Sequence, residues 1–171
     1  LERGCWRLMA YTTTKYQAQF AGRVLSNLIA LLERDAETAV AEIDPELPPF
    51  KDFRTPTPIA LKFPALFVNV ERVEPVQSDD DSYIQQTQTY GVDVAIVGKD
   101  SYSLQAQIVN YVLAIDRMIR SATAADFVGE LDSKANGVVW EVTAHDYLIS
   151  KAETTLRADA RLTVVIQLFE R

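Results

Sequence analysis

The sequence predicts an α+β fold: a four-stranded, mainly antiparallel sheet with two helices packed on one face and a long projecting β-hairpin. Three observations point there. Two stretches, Lys15 to Ile43 and Asp100 to Arg120, repeat apolar side chains every three or four residues. Four others alternate apolar and polar residues, and they come in consecutive pairs, giving the order helix, strand, strand, helix, strand, strand. Strand pairs with no helix between them favour antiparallel hairpins, and two helices can cover one face of such a sheet.

The first helix carries Tyr16, Phe20, Val24, Leu28, Leu31 or Leu32, Ala36 and Val40 on one stripe, with Glu33, Arg34, Asp35 and Glu37 as its solvated face. Thr14 followed by Gln17 reads as a capping box, and Asp44-Pro45 with Pro48-Pro49 ends the element. Residues 1–14 read as a leader or added start ahead of a single domain spanning 15–171, because Met9-Ala10 resembles a natural beginning. Glu46 to Pro64 holds five of the seven prolines together with Phe50, Phe53, Ile59, Leu61 and Phe63. Proline denies hydrogen bonds to helix and ladder alike, so this is an extended connector. Connectors of that length are often functional or stretched across a neighbour, and Phe50 and Phe53 are its candidate contacts.

Leu66, Val68 and Val70 alternate with Phe67, Asn69 and Glu71, which predicts a strand from Ala65 to Val76; Tyr90, Val92, Val94 and Ile96 predict a second, ending at Gly98. The polar turn Gln77-Ser78-Asp79-Asp80-Asp81-Ser82 joins them. From Glu71 to Thr89 few residues can fill a core, and a hairpin that outruns its core needs another surface to lie on. Glu71, Arg72, Gln85, Gln86, Thr87, Gln88 and Thr89 are therefore candidate inter-subunit or partner contacts. The uncharged run Gln85 to Thr89 suits backbone pairing with another chain, an ordinary exposed strand being the alternative. Asp79, Asp80 and Asp81 form an acidic hairpin tip, since a calcium loop would require a central glycine and a closing glutamate that do not follow.

The second helix starts at Asp100 or Ser101 and buries Leu104, Ile108, Tyr111 or Val112, Ile115 and Ile119, with Arg117 and Arg120 near its C-terminus. Ser121 to Ala135 is a linker with a short helical turn around Phe127, Val128 and Leu131. Val138, Trp140 and Val142 give the third strand, and Leu162, Val164, Ile166 and Leu168 the fourth, reaching back towards Leu156.

Composition narrows the function classes. The chain has 171 residues, 48% of them hydrophobic, enough for one sizeable core. A net charge of -7, from 24 acidic and 17 basic side chains, opposes binding to a phosphate backbone. No stretch approaches the roughly 20 apolar residues of a membrane helix. Cys5 is the only cysteine, and no Gly-rich phosphate loop or nucleophile elbow is present. His145-Asp146 lacks a nucleophile and an oxyanion site, so His145 reads as a strand-end structural histidine. Glu71 with Glu74, or Asp93 with Glu141, are carboxylates on exposed strand faces rather than acid and base pairs. The sequence thus predicts no enzyme, no cofactor and no metal.

The order of elements, with Phe63-Pro64-Ala65-Leu66-Phe67-Val68 opening a hairpin, a helix at Asp100-Ser101 and a long terminal strand Arg161 to Phe169, resembles the tail-terminator and neck proteins of tailed bacteriophages. The resemblance covers Tyr16 to Phe169 and lies in layout rather than in a motif. It implies a hexameric ring at the head-proximal end of a tail, which stops tail-tube growth and joins tail to head. Its implied partners are further copies of the chain, the tail-tube protein and head-connector proteins, with DNA passing an acidic interior unbound. It also implies a virion location. The long Glu46 to Pro64 connector leaves a head-completion protein or other neck component open. A small-ligand or regulatory oligomeric module and, below it, a hydrolase built on His145 are the competing classes.

Overall fold

The computed structural model describes residues 2–54, 62–77, 84–135, 137–152 and 154–170, with backbone alone at 2–21, 54, 75–77, 84–85, 135, 152 and 170. Helix α1 spans Glu2–Ile43, strand β1 Asp52–Arg54, β2 Ala65–Gln77 and β3 Ile84–Gly98. Helix α2 follows at Ser101–Ser121, then α3 at Ala124–Val128, α4 at Glu130–Ala135, β4 at Gly137–Ala152 and β5 at Thr155–Glu170. The strands form one sheet in the order β1-β2-β3-β5-β4, antiparallel except for β1, which pairs parallel to β2 through Asp52↔Ala65 and Phe53↔Leu66.

The architecture is α+β as expected, with corrections in number and reach. The sheet has a fifth strand, because Asp52–Arg54 of the Pro-rich connector lies along β2. The expected linker 121–135 folds into α3 and α4, so four helices rather than two are present among the described residues. Thr14 falls inside α1 and does not cap it. Strand β4 continues to Ala152 where the sequence placed His145 at the strand end, since a β-bulge between Val142 and Ala144 resets the alternation that pattern reading relies on.

One face of the sheet is covered. Val24, Leu28, Leu32, Ala36 and Val40 of α1 and Leu104, Ile108, Tyr111, Ile115 and Ile119 of α2 are buried in one cluster with Leu66 and Val68 of β2, Tyr90, Val92, Val94 and Ile96 of β3 and Leu162, Val164 and Ile166 of β5. Burying side chains of this size contributes about 1.5–3 kcal/mol each, which makes this cluster the dominant source of stability. The Asp100 carboxylate accepts from the Ser103 amide at 2.7 Å and caps α2, while Arg120 lies in its last turn, where a cation suits the helix dipole. Gly129, at φ 88, closes α3 in the left-handed region that favours glycine. The other face carries a separate small cluster, Ala65, Phe67 and Ala95 with Phe63, that has no helical member.

Candidate assembly interface

The second face of the sheet is organised around Arg161. The β3–β5 register sets Asp93 opposite Arg161, and outward-pointing positions on adjacent strands stand side by side. The guanidinium donates to both oxygens of Asp93, at 2.6 Å and 2.7 Å, and to Oε1 of Glu71 on β2 at 2.8 Å. Asn69 of β2 donates its amide to Asp93 at 2.8 Å. Hydrogen bonding to Asp93 holds the Arg161 charge firmly in place, pushing its pKa above the ordinary arginine value. Such a row needs a bare backbone beneath it: a Cβ on Gly91 would stand 2.7 Å from Glu71 Oε1 and 3.2 Å from Arg161 Nε. Further along β5, Arg157 forks onto Asp159 at 2.7 Å to 2.9 Å and lies 5.3 Å over the ring of Phe63.

Both margins of the sheet are free for part of their length among the described residues. Strand β4 is the last strand on one side. On the other, β1 covers only Ala65 to Phe67, which leaves β2 without a strand neighbour from Val68 to Gln77. Val70 and Val73 on one margin and Val139, Tyr147 and Leu148 on the other are exposed. Free margins of this kind are templates for pairing with a further chain.

The candidate contacts divide. Arg72 is exposed and pairs within its own strand, with Glu74. Glu71 is committed to Arg161 inside the chain. Thr87 and Thr89 are half-buried on the second face. The expectation that Gln85 to Thr89 pairs through its backbone with another chain is corrected: β3 lies between β2 and β5, and those residues are matched on both sides, Gln85 with Val76 and Phe169, Thr89 with Arg72 and Val165. The hairpin therefore does not project alone, because β5 accompanies it to the Ile84↔Glu170 pair. Gln86 and Gln88 face the core instead, 4% and 0% exposed. Gln88 Nε2 donates to Gln86 Oε1 at 2.6 Å, and the Tyr90 hydroxyl donates to Gln88 Oε1. Burial pushes the Tyr90 phenol well above its usual pKa, so it remains a donor.

Phe50 is corrected likewise, while Phe53 is half-buried and packs against the same core. Phe50 is 5% exposed, 5.6 Å from Phe53 and 5.1 Å from Tyr111 between ring centroids, and it serves the chain's own core. The Tyr111 hydroxyl donates to the Pro48 carbonyl, pinning the connector, and burial pushes its pKa up to about 12 with Asp44 adding to the rise. Asp79, Asp80 and Asp81 lie outside the described residues.

His145 sits within β4, with Nε2 3.6 Å from Oδ1 of Asp116 on α2. Asp116 also accepts from Arg120 Nε at 2.9 Å, and Arg120 in turn donates to the Val142 carbonyl at 3.1 Å. These bonds tie β4 to α2. Three of the four carboxylates weighed as acid and base pairs are held by arginines, Glu71 and Asp93 by Arg161 and Glu74 by Arg72, while Glu141 is exposed on β4. A depression lined by Ile29, Leu32, Phe53, Leu66 and Val68 offers only apolar side chains. Among the described residues no three His, Cys, Asp or Glu side chains are grouped to hold a metal ion, and no helix is long and apolar enough to cross a membrane.

Sequence reasoning missed Arg161, Asp93 and Asn69 as a unit. The signal was there in Asp93 between Val92 and Val94 and Arg161 between Ala160 and Leu162, charges at alternate positions of otherwise apolar strands.

No protein-family model matches the chain, and no curated protein matches it. Among solved structures it is similar to a chain of the "Virion of native gene transfer agent (GTA) particle", with a TM-score of 0.47 and 11% identity over 86% of this chain and 96% of that one.

Proposed function

We propose that this chain is a structural virion protein that forms a ring at the head-proximal end of a phage tail, ending tail-tube growth and joining tail to head. The observation that carries the reading is the position of the free margins, β4 and the outer part of β2, at opposite ends of one sheet. A chain with complementary surfaces at opposite ends associates head to tail, and such contacts close into rings when the rotation allows. Closure hides strand margins that would otherwise invite open-ended aggregation. The layout resemblance drawn from the sequence supplies the location, and the charge of -7 suits a lumen through which DNA slides without counterion-releasing contacts. No catalytic step, cofactor or metal belongs to this reading. Producing particles without the chain tests it: heads and tails should accumulate unjoined, with tails of irregular length. Joined particles of normal tail length would contradict it.

A further inference from the structure

We infer that copies of this chain join by sheet extension, the free margin of β2 in one copy adding antiparallel to the free margin of β4 in the next. The inference rests on the ring reading and names the surfaces that meet. Strand direction allows it. Each neighbour reverses from β2 through β3 and β5 to β4, so β2 and β4 run oppositely, and two copies set side by side in one orientation present an antiparallel pair.

The register then decides which residues meet. Following the rows across the sheet, Arg72 lies level with Thr89, Val165 and Glu141, and Val73 with Gln88, Ile166 and Trp140. Copies standing at one height therefore bring Arg72 of one against Glu141 of the other. Both occupy the same face of the sheet, the one on which Thr89 and Val165 stand, and Arg72 is 69% exposed. On the opposite face the same register sets Val73, 37% exposed, against half-buried Trp140. Opposite charges on one face and apolar groups on the other are the cross-strand pairs that stabilise an antiparallel ladder.

Two further features fit. The β-bulges on the two margins, between Val70 and Arg72 and between Val142 and Ala144, flank the same Tyr90↔Val164 row, so both margins bend at one height. The Val142 carbonyl is already taken by Arg120, which limits the free stretch of β4 on this side to Gly137 to Glu141. That length matches Arg72 to Val76. Pro75 lacks an amide donor within it, which keeps the added ladder short.

The test compares the full-length parent with Arg72→Glu, Glu141→Arg and the double variant, by light scattering over a concentration series. The expected result is an assembling parent, at least about 10-fold weaker association in each single variant, and recovery to within about 3-fold in the double variant. Amide hydrogen exchange on the parent should slow at Gly137 to Glu141 when copies associate. If the parent assembles and both single variants assemble equally well, or the double variant fails to recover, the pairing is overturned while the ring reading stands. If the β4 amides are protected only on adding a different protein, the margin belongs to that partner and the inference falls. A parent monomeric at every concentration and in the particle overturns inference and ring together.

Discussion

Arg161 on β5 holds both carboxylate oxygens of Asp93 on β3, and its remaining terminal nitrogen reaches Glu71 on β2, so one side chain spans three strands on the second face of the sheet. Exposed ion pairs are individually worth about 0.2–1 kcal/mol, so this row orders the side chains of that face more than it adds stability.

Gly91→Ala puts a methyl group into the space of the Glu71 carboxylate, and the flexible Glu71 side chain can swing away from Arg161. The expected cost is about 1 kcal/mol or less, the worth of one exposed ion pair. Urea unfolding of Gly91→Ala, Glu71→Ala and the double variant should show less than additive losses, since both changes separate Glu71 from Arg161.

The buried ladder of Gln86, Gln88 and Tyr90 gives a sharper test. Gln88→Ala removes the acceptor of the Tyr90 hydroxyl and the donor to Gln86 at a fully buried position, at an expected cost of about 2–4 kcal/mol. An exposed strand would show less than about 0.5 kcal/mol. Denaturant midpoints of the two proteins decide.

The same ladder shows what was legible in the sequence. Strand cores from Leu66 to Val68 and Tyr90 to Ile96, and the buried face of α2, follow from apolar periodicity alone. Glutamines at alternate positions carry no such signal: Gln86 and Gln88 face inward because β5 completes the sheet beside them, a long-range fact. Hence replacing Gln77 to Thr87 by a short turn should destabilise the fold by removing the buried Gln86. In β5, Arg157, Asp159 and Arg161 weakened the apolar pattern, yet they are the outward half of a strand running from Thr155. Asp93 and Arg161 each stood out in its own strand, but the row they form with Glu71 and Asn69 could not be assembled because its members lie on three strands. The free margins were hidden because strand order depends on which hairpins dock together.

Helix α3 should confer an acid-sensitive limb. Burial acts to raise the Asp126 pKa, but the Thr123 amide at 2.8 Å and hydroxyl at 2.9 Å, with Arg34 at 3.1 Å, outweigh it and hold the pKa below 3.8. A carboxylate lowered on folding stabilises fully above its unfolded pKa, and that contribution is lost as pH falls through the folded one. Asp126→Asn should cost about 1 kcal/mol at pH 7 and flatten the decline in melting temperature below about pH 4. Parallel thermal melts from pH 2 to 7 measure both effects.

His145→Ala should leave assembly unchanged and cost about 1 kcal/mol or less, since its Nε2 stands a long 3.6 Å from Asp116, and Asp116 keeps Arg120. Loss of association at equal fold stability would give β4 a histidine-dependent role outside this account.

Native mass measurement of the full-length chain at micromolar concentration tests the central claim most directly. The account predicts a closed assembly, a hexamer of the 19.2 kDa chain, with one dominant stoichiometry and no open-ended series. A chain that remains monomeric there and in the assembled particle would contradict it.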